Sequence, residues 1–497
     1  METSISAAAG PPAGAGRDGL LELAVSDVAH GGWCVAREPG GRVVFVRHAL
    51  PGERVRARIT DTTAKFARAE AVEILQASPD RVEPPCPHAR PDGCGGCDWQ
   101  HATPQAQRRL KAEVVRQQLR RIAGLDREII VEPLPGDSGG LGWRTRIRLS
   151  VGPGGAAGLL KHRSHEVIEV GDCPLAHPLV PVTGITGQRW QQLSSLEMTV
   201  SPGSGERAAI VTPSASGRRA PGGRTRPATR PASSTPLVSP ISPADRLSPA
   251  DRAAAMLDGL ADTVLAAGRG GRLTPLRGRG YLHQSAGGRT WRVGAGTFWQ
   301  VHPGAADALT GAVLDVLRPA PGDVALDLFC GAGLFAGALA EAVGPGGAVI
   351  GVESDRGAVR DARHNLRRLP WARIHHGDAA TALAREAGPV GDGWQEAGLA
   401  VLDPPRAGAG RAIIERLLGL RPGDRGTGDL STGDLSTGGR QVGSRLRRVA
   451  YVSCDPATLA RDIAVFGELG WQLAGLRAFD AFPMTHHVEC VAALAPA

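Results

Sequence analysis

From about residue 305 onward the chain alternates helix and strand, and this alternation limits the possible folds more than any other feature. A helical stretch at 305–317 leads to the strand VALDLF. Helical GLFAGALAEAV, the strand AVIGVE and helical DRGAVRDARHNLRRL follow, and the later strands are LAVLD, RRVAYVS and HVECVAAL. Apolar strands separated by helices argue for a doubly wound parallel sheet covered on both faces. Such sheets bind ligands in the crevice beyond the carboxyl ends of their strands. The residues that carry chemistry are therefore sought at those ends.

The 497 residues exceed what one hydrophobic core usually holds, so several domains are expected. Residues 1–17 are rich in Ala, Gly and Pro and read as a disordered tail. Residues 18–77 carry five short strand-like runs, LELAVSDVA, GWCVAR, RVVFVRHAL, ERVRARIT and FARAEAVEIL, which suggest a small β-barrel. A cysteine-dense loop at 82–101 precedes a helical stretch at 104–123, with Thr103 as N-cap and Pro104 in the first turn. Residues 143–170 read as strands again. The expected domains are the barrel at 18–77, a central β-rich domain at 78–297 and the strand–helix domain at 298–497. The helix 104–123 is free to pack on the last of these.

Two segments interrupt this plan. Residues 199–252 are rich in Ser, Pro, Gly and Arg and repeat SPADR at 242–246 and 248–252. Residues 421–445 repeat GDLST at 428–432 and 433–437. Both read as flexible insertions that bury no core, and neither is assigned a function.

Composition excludes several classes. No apolar run approaches the roughly 20 residues of a membrane span. The N-terminus lacks the basic start and apolar core of a secretory signal, so a cytoplasmic location is expected. Eight cysteines are too sparse for a disulfide framework, and their clustering suggests metal binding or catalysis. The net charge of +8 is weak evidence for a polyanionic partner. Only Lys65, Lys111 and Lys161 are lysines, and eight of the arginines lie within 199–252 against Glu206, Asp245 and Asp251.

The strand VALDLF runs into Asp327-Leu328-Phe329-Cys330-Gly331-Ala332-Gly333, and the next strand ends in Glu353. Glycines at a strand–helix turn let a ligand approach the backbone, and a carboxylate one strand over suits a ribose diol. NAD and S-adenosylmethionine both fit this much, as does a purely structural glycine turn. GAG in place of GxGxxG disfavours a pyrophosphate. Asp403-Pro404-Pro405-Arg406 follows a later strand, Cys454 ends the next, and the last strand carries Glu489. A lone cysteine is usually a small buried hydrophobe. A thiol, two carboxylates and a glycine turn at neighbouring strand ends point instead to one reactive crevice.

With FWQVH (298–302), DLFCGAG, LDPPRAG, YVSCDP and the terminal HHVEC, together with Cys86, Cys94-Gly95-Gly96-Cys97 and Cys173 in GDCPL, the chain resembles the S-adenosylmethionine-dependent RNA 5-methyluridine methyltransferases that carry an N-terminal TRAM domain. The resemblance spans nearly the whole chain apart from the tail and insertions. It implies a TRAM-like OB-type barrel, a small central β-rich domain and a C-terminal Rossmann-like class I methyltransferase sheet. It implies Cys454 as the nucleophile at C6 of uracil and Glu489 as acceptor of the C5 proton. Asp403 and Gln300 would hold the cofactor end and the uracil edge. Phe329, Gly331, Leu334, Glu353 and Asp378 would line the cofactor pocket, with Glu353 on the ribose. Cys86, Cys94, Cys97 and Cys173 would hold a [4Fe–4S] cluster, with zinc as the alternative. The implied partner is RNA, ribosomal in preference to transfer RNA, and the expected state is a monomer.

The chain departs from the family at His302, where Asn is usual, and at Leu334, where Asn or Thr is common. Seven residues separate Cys86 from Cys94, slightly more than is usual. His302 reads more readily as a packing histidine than as a catalytic acid. Cys34, Cys330 and Cys490 read as packing thiols. Trp143-Arg144-Thr145-Arg146 reads either as a phosphate contact or as an exposed strand, and the barrel either as an RNA grip or as a structural cap. Rival readings are a non-catalytic RNA-binding or assembly factor, a methyltransferase for another nucleobase, and a dehydrogenase. An amino-methyltransferase usually places an aromatic residue after its D/N-P-P motif, where this chain has Arg406.

Overall fold

Period-two burial closes the first strands into a barrel. β1 (Leu21–Ala29), β2 (Trp33–Arg37), β3 (Val43–Arg47), β4 (Arg54–Thr62) and β5 (Phe66–Gln76) join in the order β1-β2-β3-β5-β4. Leu21, Leu23, Val25, Cys34, Val44, Val46 and Val55 turn inward, and neighbours on alternate positions face out. The computed structural model describes residues 19–214, 247–384, 394–419 and 445–497. The expected tail and most of both insertions lie outside the described residues.

Beyond the cysteine loop, α1 (Pro104–Gln118) starts where its cap signals place it. Thr103 Oγ1 accepts the Ala106 N–H at 3.2 Å, and proline fills the first turn, where its missing N–H costs nothing. A π-helical turn, Leu119–Ala123, extends it, and Gly124 ends it at a φ of 67°. The helix packs on the C-terminal domain. Lys111 is fully buried there, ion-paired with Asp480 and 3.0 Å from the Phe482 carbonyl. Removing one partner of a buried pair leaves an uncompensated charge. Lys111→Ala is therefore expected to cost about 3–5 kcal/mol in urea denaturation, and a loss below about 1 kcal/mol would mean that Asp480 finds water or another cation.

The central domain is built on β7 (Arg146–Val151), β8 (Ala157–Leu160), β9 (Val167–Ile168), β10 (Leu193–Val200), β11 (Arg207–Pro213), β12 (Thr263–Ala267) and β13 (Leu273–Arg277), after a short strand β6 (Val131–Pro133). Its order is β13-β12-β11-β10-β7-β8-β9, with helices α2 (Val182–Thr186) and α3 (Pro249–Met256) against it. This corrects the limits of the first insertion. Residues 207–213 form β11, paired to both β10 and β12, because Ala208–Val211 are apolar and buried. The second SPADR opens α3, where Ser248 caps the Asp251 N–H. Only 215–246 of that segment lies outside the described residues.

The C-terminal domain follows a hairpin of β14 (Tyr281–Ala286) and β15 (Arg289–Gly294). Its elements are α4 (Ala305–Leu317), β16 (Val324–Leu328), α5 (Leu334–Val343), β17 (Ala348–Glu353), α6 (Arg356–Asn365), β18 (Ala372–His376), α7 (Ala379–Ala384), β19 (Leu399–Leu402), α8 (Arg411–Leu417), β20 (Arg448–Ser453), α9 (Pro456–Glu468), β21 (Trp471–Asp480) and β22 (Glu489–Pro496). The sheet order is β18-β17-β16-β19-β20-β22-β21-β6. α4, α5 and α6 share one apolar layer with the hairpin residues Trp291 and Val293, and α1, α7, α8 and α9 pack in the other. The helix, the hairpin and β6 thus come from the segment assigned to the central domain yet complete this one.

The sheet is parallel from β18 to β20 and mixed beyond. β22 runs antiparallel to both β20 and β21. The connection 481–488 is too short for a parallel crossover, which needs about a dozen residues or more. The consequence is functional. Glu489 opens its strand rather than closing it, and the reversal brings it to the same sheet edge as the ends of β16, β19 and β20.

Candidate active site

The turn after β16 is bent into a cradle. Phe329 has a φ of 68°, and its N–H and that of Cys330 both reach the Val352 carbonyl, at 2.9 and 3.1 Å. Gly331 (φ 53°) donates its N–H to Glu353 at 3.0 Å, and a Cβ added there would meet nothing within 4 Å, so the space over the turn is open. Asp327 is fully buried beneath it. One oxygen accepts the Ala336 N–H at 2.7 Å at the start of α5, while the other, Oδ1, has no partner. Burial pushes the Asp327 carboxyl up to about 8, against the Ala336 amide and with help from the charges of Asp403 and Glu353. Leu334 opens α5 and is half-buried against the apolar layer. Asp378 lies exposed past the outer strand, and its Oδ1 caps α7 through the Thr381 N–H at 2.9 Å.

The reactive end lies one to three strands further along the same edge. Asp403 follows β19, its N–H on the Leu328 carbonyl at 3.2 Å. Burial and the charge of Glu353 push its carboxyl up to about 7. Cys454 follows β20 and is half-buried. Burial raises its thiol to about 11, and the charges of Glu489 and Asp403 add to this, while the Arg406 guanidinium pulls the other way. Glu489 is buried beside them, since Ser453 pairs with Cys490 across the two strands. Burial and the charge of Asp403 hold its carboxyl well above the usual range, with Arg406 again opposing. The structure thus joins Asp327, Glu353, Asp403, Cys454 and Glu489 into one electrostatic group.

Arg406 was singled out in the sequence only for what it is not. In the structure it is the cation of this group, facing both Cys454 and Glu489. Its backbone carbonyl accepts the Thr458 hydroxyl at 3.0 Å, and its Nη2 lies 3.3 Å from Nε2 of His487. The signal was present in its place directly after Asp403-Pro404-Pro405.

Gln300 is buried on the segment between the hairpin and α4, which Thr145 ties down through two hydrogen bonds to the Val301 carbonyl, at 3.0 and 2.9 Å. His302 is buried and stacked on Trp143 with ring centroids 6.1 Å apart, and its Nδ1 accepts the Gly304 N–H at 3.1 Å. The ring thus packs and accepts one hydrogen bond, while its buried Nε2 has no partner. Trp143 and Thr145 are buried, so the segment is not an exposed strand, and Arg144 and Arg146 are half-buried with partners inside the protein. Arg146 pairs with Glu197 and donates to the Thr297 carbonyl at 2.9 Å, and Arg144 lies over the Trp143 ring, 5.0 Å from its centroid.

Cys86, Cys94, Cys97 and Cys173 line one small cavity with Gln100, Arg144 and Asp172. Gln100 spans two of them, accepting the Cys86 N–H at 3.1 Å and donating to Cys97 Sγ at 3.0 Å. Burial raises the thiols of Cys86, Cys94 and Cys97, the last to about 12, with Cys173 adding to each. Gly95 must be glycine, for a Cβ there would stand 2.5 Å from the His162 backbone. Among the described residues no group of three or more His, Cys, Asp or Glu side chains is arranged to hold a metal ion. Cys34, Cys330 and Cys490 are buried among apolar neighbours, as packing thiols should be.

Comparison with known proteins agrees with this architecture. Residues 20–72 match the TRAM domain, and residues 302–395 match the protein-L-isoaspartate(D-aspartate) O-methyltransferase family. The chain is 45% identical over 487 residues to an uncharacterized RNA methyltransferase of Streptomyces avermitilis, covering 96% of this chain and 98% of the relative. It is 32% identical to one of Corynebacterium efficiens, covering 95% and 93%. Its fold is similar to that of the Pyrococcus abyssi tRNA (uracil-54, C5)-methyltransferase solved with S-adenosyl-L-homocysteine, with a TM-score of 0.61 at 19% identity, covering 95% of this chain and 99% of that one.

Proposed function

The chain belongs to the RNA methyltransferase family of these relatives, and we propose that it moves the methyl group of S-adenosylmethionine onto C5 of a specific uridine in RNA. One observation carries this reading. Asp327, Glu353, Asp403 and Glu489 crowd one sheet edge, and the carboxyls of Asp327, Asp403 and Glu489 are all pushed upward. Such a crowd of carboxyls favours a cationic ligand, and the Cys454 thiol lies within reach of their charges. S-adenosylmethionine, when bound, supplies an electrophilic methyl group on a sulfonium cation. The open cradle at Gly331 and the unpartnered Asp327 Oδ1 fit it. Glu353, Phe329 and Asp378 would hold its nucleoside half, and Asp403 and Gln300 its reacting end and the uracil edge.

C5 of uracil is a weak nucleophile, and Cys454 corrects this. Its thiolate adds to C6, the C5=C6 pair moves toward O4, and C5 becomes the nucleophilic carbon of an enolate. Arg406 favours the thiolate electrostatically. C5 then takes the methyl group. Glu489 removes the remaining C5 proton, the C5=C6 bond re-forms and the Cys454 sulfur leaves. A carboxyl that holds its proton firmly is a capable acceptor once ionised, and Arg406 favours the ionised form. The target uridine must leave its stack to reach this crevice.

Cys86, Cys94, Cys97 and Cys173 would hold a [4Fe–4S] cluster, with zinc as the alternative. Their lining of one small cavity supports this, although their side chains are not arranged around a metal position in this structure. The cluster would hold the loop in shape, and the methyl transfer itself moves no net electrons. Among the described residues no helix is long and apolar enough to cross a membrane.

Nucleoside mass spectrometry tests the reading. Anaerobically purified protein is incubated with S-adenosylmethionine and separate pools of undermethylated ribosomal and transfer RNA. New 5-methyluridine is expected in one pool. The barrel and cysteine-loop architecture favours the ribosomal pool, whereas the Pyrococcus abyssi structural neighbour acts on transfer RNA. The absence of 5-methyluridine from both pools, with cofactor bound, would overturn the uridine reading and leave an RNA-binding factor or another target base.

A further inference from the structure

The barrel reaches the catalytic edge directly. Its β1–β2 turn carries His30, whose Nε2 lies 3.3 Å from Asp455 Oδ2, one residue past Cys454. The other oxygen of Asp455 caps α9 through the Thr458 N–H at 2.8 Å, and Ser453 Oγ accepts the Asp455 N–H at 3.2 Å. The turn that presents Cys454 is therefore held on one side by its own helix and on the other by a residue from a different domain.

A second strut meets the segment before Glu489. Asp98 follows Cys97 in the cysteine loop and is buried. Its Oδ2 accepts both the N–H and Nδ1 of His486, at 3.1 and 2.6 Å, and its Oδ1 faces Arg47 of β3 at 3.3 Å. The N–H groups of Asp98 and Trp99 both reach the Met484 carbonyl, at 3.0 and 3.1 Å, and the Met484 N–H donates to Gln107 of α1 at 2.8 Å. Gly32, in the same barrel turn as His30, lies against Asp98, and a Cβ there would stand 2.8 Å from the carboxyl carbon. The next residue after His486 is His487, the neighbour of Arg406.

We infer that His30 and Asp98 are positioning residues of the methyl-transfer site, His30 orienting the turn that carries Cys454 and Asp98 fixing the segment that leads into Glu489. The inference deepens the function proposed above and rests on it for the meaning of the site. It gives the barrel a part in catalysis as well as in gripping RNA. Neither residue touches the reacting atoms.

The test uses the full-length protein purified anaerobically, with His30→Ala, His30→Gln and Asp98→Asn. His30 is half-exposed, and Asn keeps the shape of Asp98, so the variants are chosen to fold. The first readout needs no RNA: the rate of iodoacetamide alkylation, followed on the Cys454 peptide by mass spectrometry. Losing His30 frees the turn and leaves the Asp455 carboxylate without its cationic cross-domain partner beside the thiol, so alkylation is expected to slow by about threefold or more. His30→Gln, which can still donate to Asp455, is expected to restore most of the rate. The second readout is steady-state methylation, where His30→Ala and Asp98→Asn are expected to lower kcat about tenfold with RNA affinity within about twofold of wild type. Unchanged Cys454 reactivity, with a loss confined to RNA affinity, would overturn the inference and leave the barrel as a grip alone. If the wild type forms no 5-methyluridine, the functional reading fails, and the alkylation comparison still decides the positioning role.

Discussion

Cys454→Ala is expected to abolish 5-methyluridine formation, a loss on the order of 10⁵-fold or more, while cofactor affinity stays within about twofold of wild type. The size of the effect follows from the absence of a substitute. Ser453 is buried and its hydroxyl is engaged with Asp455, 3.2 Å from both the Asp455 carbonyl and its N–H. Cys490 is fully buried on β22, and its thiol is held far above the usual range by burial and by the charge of Glu489. Neither can reach or ionise as Cys454 does. The cradle proposed for the cofactor is built from β16 and β17 and makes no use of the thiol, so binding should survive. Single-turnover nucleoside mass spectrometry and equilibrium dialysis with S-adenosylmethionine check the two halves. Activity within about tenfold of wild type would place the nucleophile elsewhere or remove the covalent step.

How much of this site was legible from sequence depends on whether a residue acts within its own element or across domains. The cap of α1, the limits of α4 and the strand carrying Asp327 depend on local chemistry, and Thr103, Pro104 and the apolar run VALDLF announce them. Cys454 and Asp403 were visible because strand ends of a parallel sheet meet by construction. Glu489 was picked from its motif, but its route to the site runs through an antiparallel reversal that periodicity alone does not reveal. The left-handed backbone at Phe329 left no trace, since a bulky residue there is held by the Val352 carbonyl and not by its own preference. The insertion limits were set too wide because Arg207–Pro213, a strand of good apolar content, sits beside Ser-, Pro- and Gly-rich chain. His30, Asp98 and Arg406 act through partners far away in sequence, and no spacing rule connects residue 30 to residue 455.

Glu489→Gln is expected to stop the reaction after methyl transfer, leaving RNA covalently attached to Cys454, with turnover reduced by about 10²–10⁴-fold. The argument begins with folding. Glu489 is buried, and the site already favours its neutral form, so a neutral isostere should be accepted with no loss of stability. Addition of the thiolate to C6 and attack by C5 require no proton transfer to residue 489. The C5 proton then has no acceptor of the right reach: Asp403 follows β19, two strands from β22 with β20 between them, and Arg406 carries only donors. Elimination of the sulfur must wait for that proton, so the methylated adduct persists. A denaturing gel should show a protein–RNA band with Glu489→Gln and S-adenosylmethionine. Nuclease digestion and mass spectrometry should place a methylated uridine on the Cys454 peptide. If no adduct forms, Glu489 acts earlier, in activating the thiol. If turnover stays within about tenfold of wild type, water or Asp403 takes the proton and the assignment of Glu489 is wrong.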